Sequence, residues 1–393
     1  MKSVAILGGG PAGAVAAEKL ASAGMKTIVL DEKLAWEKPC GGGLTYKAYS
    51  RYPFLIENDV PKKLVTETCL SAHGAGDAVM KLNHPLVIYS RYDLNRMLLS
   101  RAERAGAQIE KDRVLEVKRA LRGWRIRTRR GTLEADYCII ATGARNSLRD
   151  FGTAWNAADT MYAMGYYVPA QQDHIDIQFL PHLEGYIWVF PRCGHLSVGI
   201  CGKGEPAPAL RQRLETYIRK KGIDLRNATF YGHMLPALSH ASWQRNRVAG
   251  DGWLAVGDAG GLVDPVTGEG LYYAMRSADL ASNVVLDDAC APPAKAIAYR
   301  RLLEQDFTTD LAFGARIAKR IFVGSFLFSS VPARMVQFVR HSPRFSEIIQ
   351  DLFAGTQSYR DLKERLLKNL NGTLHEVVMN FLFGRLIPKE NRT

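Results

Sequence analysis

Cysteine is scarce and unpatterned: six residues in 393, at Cys40, Cys69, Cys138, Cys193, Cys201 and Cys290, with no CxxC pair and no regular spacing. That argues against a disulfide framework and against a zinc site, and it suits a reducing, cytoplasmic setting. Acidic residues are also short, 39 Asp plus Glu against 52 Lys plus Arg, for a formal net charge of +13. The excess suits an anionic companion, whether a phosphorylated cofactor, an acidic lipid surface or a nucleic acid. No stretch approaches the roughly 18 uncharged apolar residues that span a bilayer. Met1–Leu7 has the lysine and apolar run of a signal-peptide start, but Gly8-Gly9-Gly10-Pro11 breaks it before an apolar helix can form. None of the nine histidines forms HxxxH or HExxH, and there is no GxSxG, so metal and serine-nucleophile chemistry have no motif here. Internal repeats and low-complexity tracts are lacking too.

What is there is ordinary globular composition, 47% hydrophobic and 23% charged, at a length that suits two domains or one domain with a large insertion. Ser3–Leu7 is a short, wholly apolar run of the kind buried in parallel sheets. Pro11 suits a first helical turn, Ala14–Leu20 continues it, and Gly24 ends it. Thr27–Leu30 is a second buried strand, which completes a βαβ unit of about thirty residues. Asp93–Gly106 has helical spacing of Leu94, Met97, Leu98 and Ala102. Val114–Lys118, Trp124–Arg129 and Thr132–Ala135 form a meander with turns at Gly123 and Gly131, and Tyr137–Ala141 is again a buried strand. Ile175–Leu180, Tyr186–Phe190 and Leu196–Cys201 read as a mainly antiparallel sheet. Trp253–Val256 returns to the parallel type, a helix runs from about Gly268 to Leu286, and residues 297–393 read as mostly helical with basic faces.

The strongest local signal is Gly8-Gly9-Gly10-Pro11-Ala12-Gly13, a G-x-G-x-x-G between strand and helix. Gly8 permits the tight turn, Gly10 lets a pyrophosphate approach the backbone, and Gly13 lets the helix pack closely on the strand. The helix N-terminus adds free N–H groups and partial positive charge. Asp31, 18 residues beyond Gly13, stands where a ribose-binding acid is expected. A second constellation lies far downstream: Gly257-Asp258-Ala259, Asp264-Pro265 and Gly268-Glu269-Gly270. Asp258 follows a strand, at a carboxyl end where open α/β sheets bind ligands. The helix beginning near Gly268 offers its positive end to the negative charge a reduced flavin carries near N1 and O2.

These motifs, with the SRYDLNRML segment around Arg91–Asp93 and the ATGARNSLR stretch, resemble FAD-dependent oxidoreductases of the p-hydroxybenzoate-hydroxylase-like fold. Pro39-Cys40-Gly41-Gly42-Gly43-Leu44 is similar to a CGGG segment, and Gly185-Tyr186-Ile187-Trp188-Val189-Phe190-Pro191 to a YxWxFP strand, of the geranylgeranyl reductase family. The motifs span residues 1–285. The resemblance implies an α/β fold with a discontinuous Rossmann-like FAD-binding domain (1–60, 91–158 and 246–290). A mainly antiparallel substrate-binding sheet (61–90 and 159–245) and a helical C-terminal region (291–393) complete it. It implies FAD contacts from Gly8, Gly10, Pro11, Ala12, Gly13, Asp31, Glu32, Cys40, Gly41, Gly42, Arg91, Ala141, Thr142, Gly143, Asp258, Gly268, Gly270 and Leu271. Asp258 would meet the ribityl chain and Arg91 the phosphates. Tyr186, Trp188, Phe190 and Pro191 would contact substrate. The implied activity is reduction of C=C bonds in a prenyl lipid or prenylated quinone; the same scaffold also serves monooxygenases and halogenases acting on apolar small molecules. Aromatic hydroxylases have Asp-Gly where this chain has Thr142-Gly143, which weakens a hydroxylase-type use of NAD(P)H and leaves the electron donor open, NADPH and reduced ferredoxin being the two candidates.

Two readings stay open for Cys40: a catalytic thiol beside the isoalloxazine, or a small side chain filling space. Tyr186, Trp188 and Phe190 share one strand face, which is either core or the wall of a prenyl-binding cavity. Arg125, Arg127 and Arg129 alternate with Trp124, Ile126 and Thr128 as on a solvated strand face, and no nucleic-acid module accompanies them. Ile321–Ser330, followed by Arg334, Arg340 and Arg344, reads either as a basic amphipathic segment lying on the inner face of a membrane or as a helix capping the substrate tunnel. The expected partner is an apolar small molecule, with no nucleic acid.

Overall fold

In a computed structural model the described residues are 2–369 and 372, apart from 149, 155, 289 and 290. Cys290 and the tail beyond 372 therefore lie outside them. The βαβ unit forms as its pattern predicts: strand Ser3–Leu7, helix Pro11–Ser22, strand Lys26–Asp31. Around it a six-stranded sheet runs in the order Ala249–Gly250, Trp253–Ala255, Tyr137–Ile140, Ser3–Leu7, Lys26–Asp31, Gln108–Lys111. Every pairing is parallel except that of the short Ala249–Gly250 edge. Its central strands are apolar throughout because both faces are covered. Helices Pro11–Ser22, Arg91–Arg104 and Leu271–Leu286 lie on one side, and the Val114–Ala135 meander on the other.

The second layer is an eight-stranded sheet in the order Thr229–Pro236, Thr160–Val168, Leu196–Lys203, Glu184–Pro191, Ile175–Phe179, Lys62–Ala72, Gly76–Tyr89, Gly43–Leu44. It is antiparallel except where Ile175–Phe179 pairs with Lys62–Ala72. Two residues of the CGGG segment thus form its edge, so the loop that leaves the first domain is stitched directly to the second. Helix Ala207–Lys221 covers one face of this sheet, and helices Val331–His341 and Pro343–Ala354 cover part of the other. The fold is the expected mixed α/β architecture: a Rossmann-like sheet, an antiparallel sheet and C-terminal helices. Ile321–Ser330 is not one continuous element. Its first three residues end helix Thr309–Val323, and Gly324 then releases the chain into a hairpin, Ser325–Phe326 against Ser329–Ser330. No helix among the described residues is long and apolar enough to cross a membrane.

Candidate functional site

The two sheets meet over one continuous cavity of about 1770 Å³. That exceeds the ~300–1,000 Å³ typical of a single ligand pocket, so it has room for a dinucleotide and a second molecule. Of the residues to which the sequence assigns FAD or substrate contacts, all but Gly13 and Pro191 line it. Gly13 acts at one remove: a Cβ there would fall 1.9 Å from the Gly8 carbonyl oxygen, so its bare backbone is what lets helix and loop touch. Pro191 points to the opposite strand face, since it is an odd number of residues from Tyr186, Trp188 and Phe190.

The glycine-loop end has the features a pyrophosphate needs. A Cβ on Gly10 would meet no protein atom within 4 Å, so the space before its backbone is open. Arg91 is buried at the start of helix Arg91–Arg104; one guanidinium nitrogen donates to Asn95 Oδ1 at 3.2 Å, and its Nε has no protein partner. An orphaned, buried cationic donor beside an open glycine loop fits a phosphate group. Asp31 ends its strand as expected, but its carboxylate also braces the loop, accepting from the Gly9, Lys33 and Leu34 N–H groups at 2.7–2.8 Å. Glu32 turns to Arg113, 3.5 Å away, and both line the same end of the cavity.

Across the cavity, Asp258 pairs with Lys38 Nζ at 3.1 Å. Burial, the largest single effect, would raise the Asp258 carboxyl, but the Lys38 charge and hydrogen bond, with the His233 and Arg91 charges, together hold the group below the ordinary carboxylate range. His233 faces the same pair; burial and Lys38 push its imidazole down, and its Nε2 lacks a protein partner. Gly268 and Gly270 line the cavity just before helix Leu271–Leu286, and Glu269 caps the helix start: its Oε1 accepts from the Tyr272 N–H at 3.0 Å and its carboxyl also from the Leu271 N–H. Burial pushes the Glu269 carboxyl up to about 7. A buried guanidinium whose Nε has no protein partner, an open glycine turn and a helix N-terminus around one crevice match the charge pattern of FAD, and the residues present fit that group.

Cys40 lies where the loop crosses the antiparallel sheet. Its sulfur accepts from the Gly42 N–H at 3.3 Å. Its carbonyl is held by Arg192 and by Ser197 Oγ. Arg192, fully buried, also binds Glu37, which caps helix Arg91–Arg104 by accepting from the Arg91 and Tyr92 N–H groups. Gly42 adopts φ +86°, and a Cβ there would strike the Tyr89 carbonyl at 2.2 Å, so the loop closes on the strand only with glycine. Phe190 presses on Gly41 and Gly43, Trp188 Nε1 donates to Ser197 Oγ, and Tyr186 OH donates to the Thr267 carbonyl at 2.5 Å. The three aromatic residues therefore join the Cys40 loop to the 264–270 loop along one wall.

Beyond them the cavity becomes apolar, walled by Leu70, Ile177 and Phe179 of the sheet and by Phe322, Met335, Phe338, Phe345, Ile349 and Leu352 of the C-terminal helices. Lys38, Arg192, Glu37, Ser197, His233 and this helical wall were not found in the sequence. The contacts that bring Lys38 to Asp258, Arg192 to Glu37 and Ser197 to Cys40 cross more than a hundred residues, and the local trace is the arginine directly after the YxWxFP segment.

Residues 2–160 match the family model described as pyridine nucleotide-disulphide oxidoreductase. The chain is 28% identical over 317 residues to a chloroplastic geranylgeranyl diphosphate reductase of Oryza sativa subsp. japonica, covering 72% of this chain and 66% of that protein. It is 29% identical over 318 residues to a menaquinone reductase of Mycobacterium tuberculosis, covering 72% and 76%. Among solved structures, a geranylgeranyl bacteriochlorophyll reductase-like protein of Thermoplasma acidophilum superposes with a TM-score of 0.77 at 21% identity, over 93% of this chain and 98% of that one. A flavin-dependent brominase superposes at 0.69 and 15% identity, over 94% and 99%. In sequence and in fold, the chain is similar to FAD-dependent oxidoreductases, the geranylgeranyl reductases among them.

Proposed function

We propose that this protein saturates C=C bonds in the prenyl chain of a lipid or quinone. The observation that carries the reading is the cavity's division: a polar end built for a dinucleotide opens, past Cys40 and three aromatic rings, into a long apolar arm. Reduced FAD supplies the hydride, and NADPH or reduced ferredoxin supplies its electrons. The rest is the work of the chain. Gly10 and Arg91 hold the pyrophosphate, Asp31 and Glu32 the ribose, and Asp258 with Lys38 the ribityl chain. Tyr186, Trp188 and Phe190 hold the prenyl chain by apolar contact, worth about 0.8 kcal/mol per buried CH₂, so several isoprene units bind without polar handles. The C-terminal helices exclude water from the arm. Cys40 Sγ, oriented by the Gly42 N–H, delivers the proton to the carbon next to the one that accepts hydride.

The test is lipid mass analysis after anaerobic incubation of reduced protein with a prenylated quinone or prenyl diphosphate. The expected product carries two added hydrogens per reduced bond. Cys40→Ser should keep its flavin and lose roughly 10²-fold or more in turnover, as removal of a general acid does. Unchanged turnover in Cys40→Ser would leave the cysteine as filler, and oxygen consumption with a hydroxylated or halogenated product would replace the reductase reading.

A further inference from the structure

The hairpin that follows helix Thr309–Val323 breaks two rules at one place. Its turn residues, Leu327 and Phe328, have φ +48° and +61°, a backbone that glycine and asparagine adopt at low cost and that large side chains resist. The same residues are exposed: Phe328 by 107%, Leu327 by 45%, and Phe326 beside them by 43%. Backbone and solvation would both choose a small polar turn, yet the chain places Phe-Leu-Phe there.

The location is specific. Gly324, Ser325, Phe326, Val331 and Met335, at the root of the hairpin, line the apolar arm of the cavity. The Phe322 ring lies parallel to that of Tyr186, with centroids 6.4 Å apart, so the arm runs from the aromatic strand to the hairpin. Arg334 donates to the Leu327 carbonyl and fixes the turn. Arg316, Lys319 and Arg320 follow one stripe of the preceding helix, exposed and without an ion-pair partner among the described residues.

We propose that this hairpin tip inserts into the headgroup layer of a bilayer containing anionic lipid, with the Arg316–Arg320 stripe against the acidic headgroups, so that the apolar arm opens onto the membrane. The proposal rests on the prenyl-lipid reading only for what passes through the arm.

The test is flotation of the full-length, flavin-loaded protein with vesicles of phosphatidylcholine alone or mixed with phosphatidylglycerol, at low and high salt, without turnover. Wild type should float with the mixed vesicles and be partly released by salt. Leu327→Gly/Phe328→Gly suits the turn geometry, so it should keep its fold and flavin while binding vesicles at least ~10-fold more weakly. Arg316→Gln/Lys319→Gln should lose the preference for anionic vesicles. Wild type unbound to either vesicle, or a double-glycine variant that binds as well as wild type, would overturn the proposal. So would a dimer that the double-glycine change converts to monomer, since the tip would then be a contact between copies. Vesicle binding through the tip without reduction of any prenyl chain would leave docking intact and remove the substrate assignment.

Discussion

Two glycines three residues apart make opposite predictions. Gly10 faces open space, so Gly10→Val should leave the apoprotein as stable as wild type while weakening FAD binding by at least ~10-fold, or 1.4 kcal/mol. Gly13 faces the Gly8 carbonyl at 1.9 Å, so Gly13→Ala should destabilise the apoprotein itself, by about 1–3 kcal/mol. Flavin content after purification and thermal unfolding of the apo forms check both; a fully yellow Gly10→Val protein would show that the loop does not hold the cofactor. Arg192 offers a third case. Burial alone would raise the Glu37 carboxyl, but Arg192 and two helical N–H groups hold it below the ordinary range. Its stabilising contribution is therefore present above the unfolded value of 4.5 and is lost as pH falls through the lower folded value. Arg192→Met should remove much of it, so acid unfolding, followed by tryptophan fluorescence, should begin at higher pH. Identical acid transitions in the two proteins would contradict this.

At the scale of elements, legibility followed burial. Ser3–Leu7, Lys26–Asp31, Tyr137–Ile140 and Trp253–Ala255 announced themselves because strands covered on both faces are continuously apolar. The long hairpin Lys62–Ala72 and Gly76–Tyr89 did not. A bulge between Val65 and Glu67 shifts its inward phase by one residue, and Pro85 interrupts the second strand, so neither shows unbroken alternation. The helix expected from Gly268 starts instead at Leu271, since Gly268, Glu269 and Gly270 form the loop that lines the cavity before it. Glu269 gives this element a pH signature. Burial raises its carboxyl from 4.5 to about 7, against the pull of the Tyr272 and Leu271 N–H groups and the Lys47 charge, with Asp264 adding to the rise. The folded state then holds a proton that the unfolded state releases, so apoprotein stability should be fullest below pH 4.5 as far as this group is concerned and decline as pH rises through 7. Glu269→Gln should flatten that slope in urea titrations; an unchanged slope would contradict the assignment.

The whole molecule is two sheets with a ligand space between them. Half of that space was readable: the flavin end is written in short motifs, because phosphate and sugar recognition needs glycine and carboxylate at fixed spacing. The apolar arm was not readable, because Phe, Met, Leu and Ile on helices Val331–His341 and Pro343–Ala354 have the same pattern whether they face a core or a cavity. The aromatic strand is the join between the halves, and Trp188→Ala should therefore weaken prenyl binding more than flavin binding. The most direct measurement is anaerobic mixing of the flavin-reduced protein with a prenylated quinone or prenyl diphosphate while the flavin absorbance is followed. The account predicts reoxidation that depends on substrate concentration, saturates, and slows in Trp188→Ala. A reduced flavin that persists with every prenyl chain and reoxidises only when oxygen is admitted would contradict it.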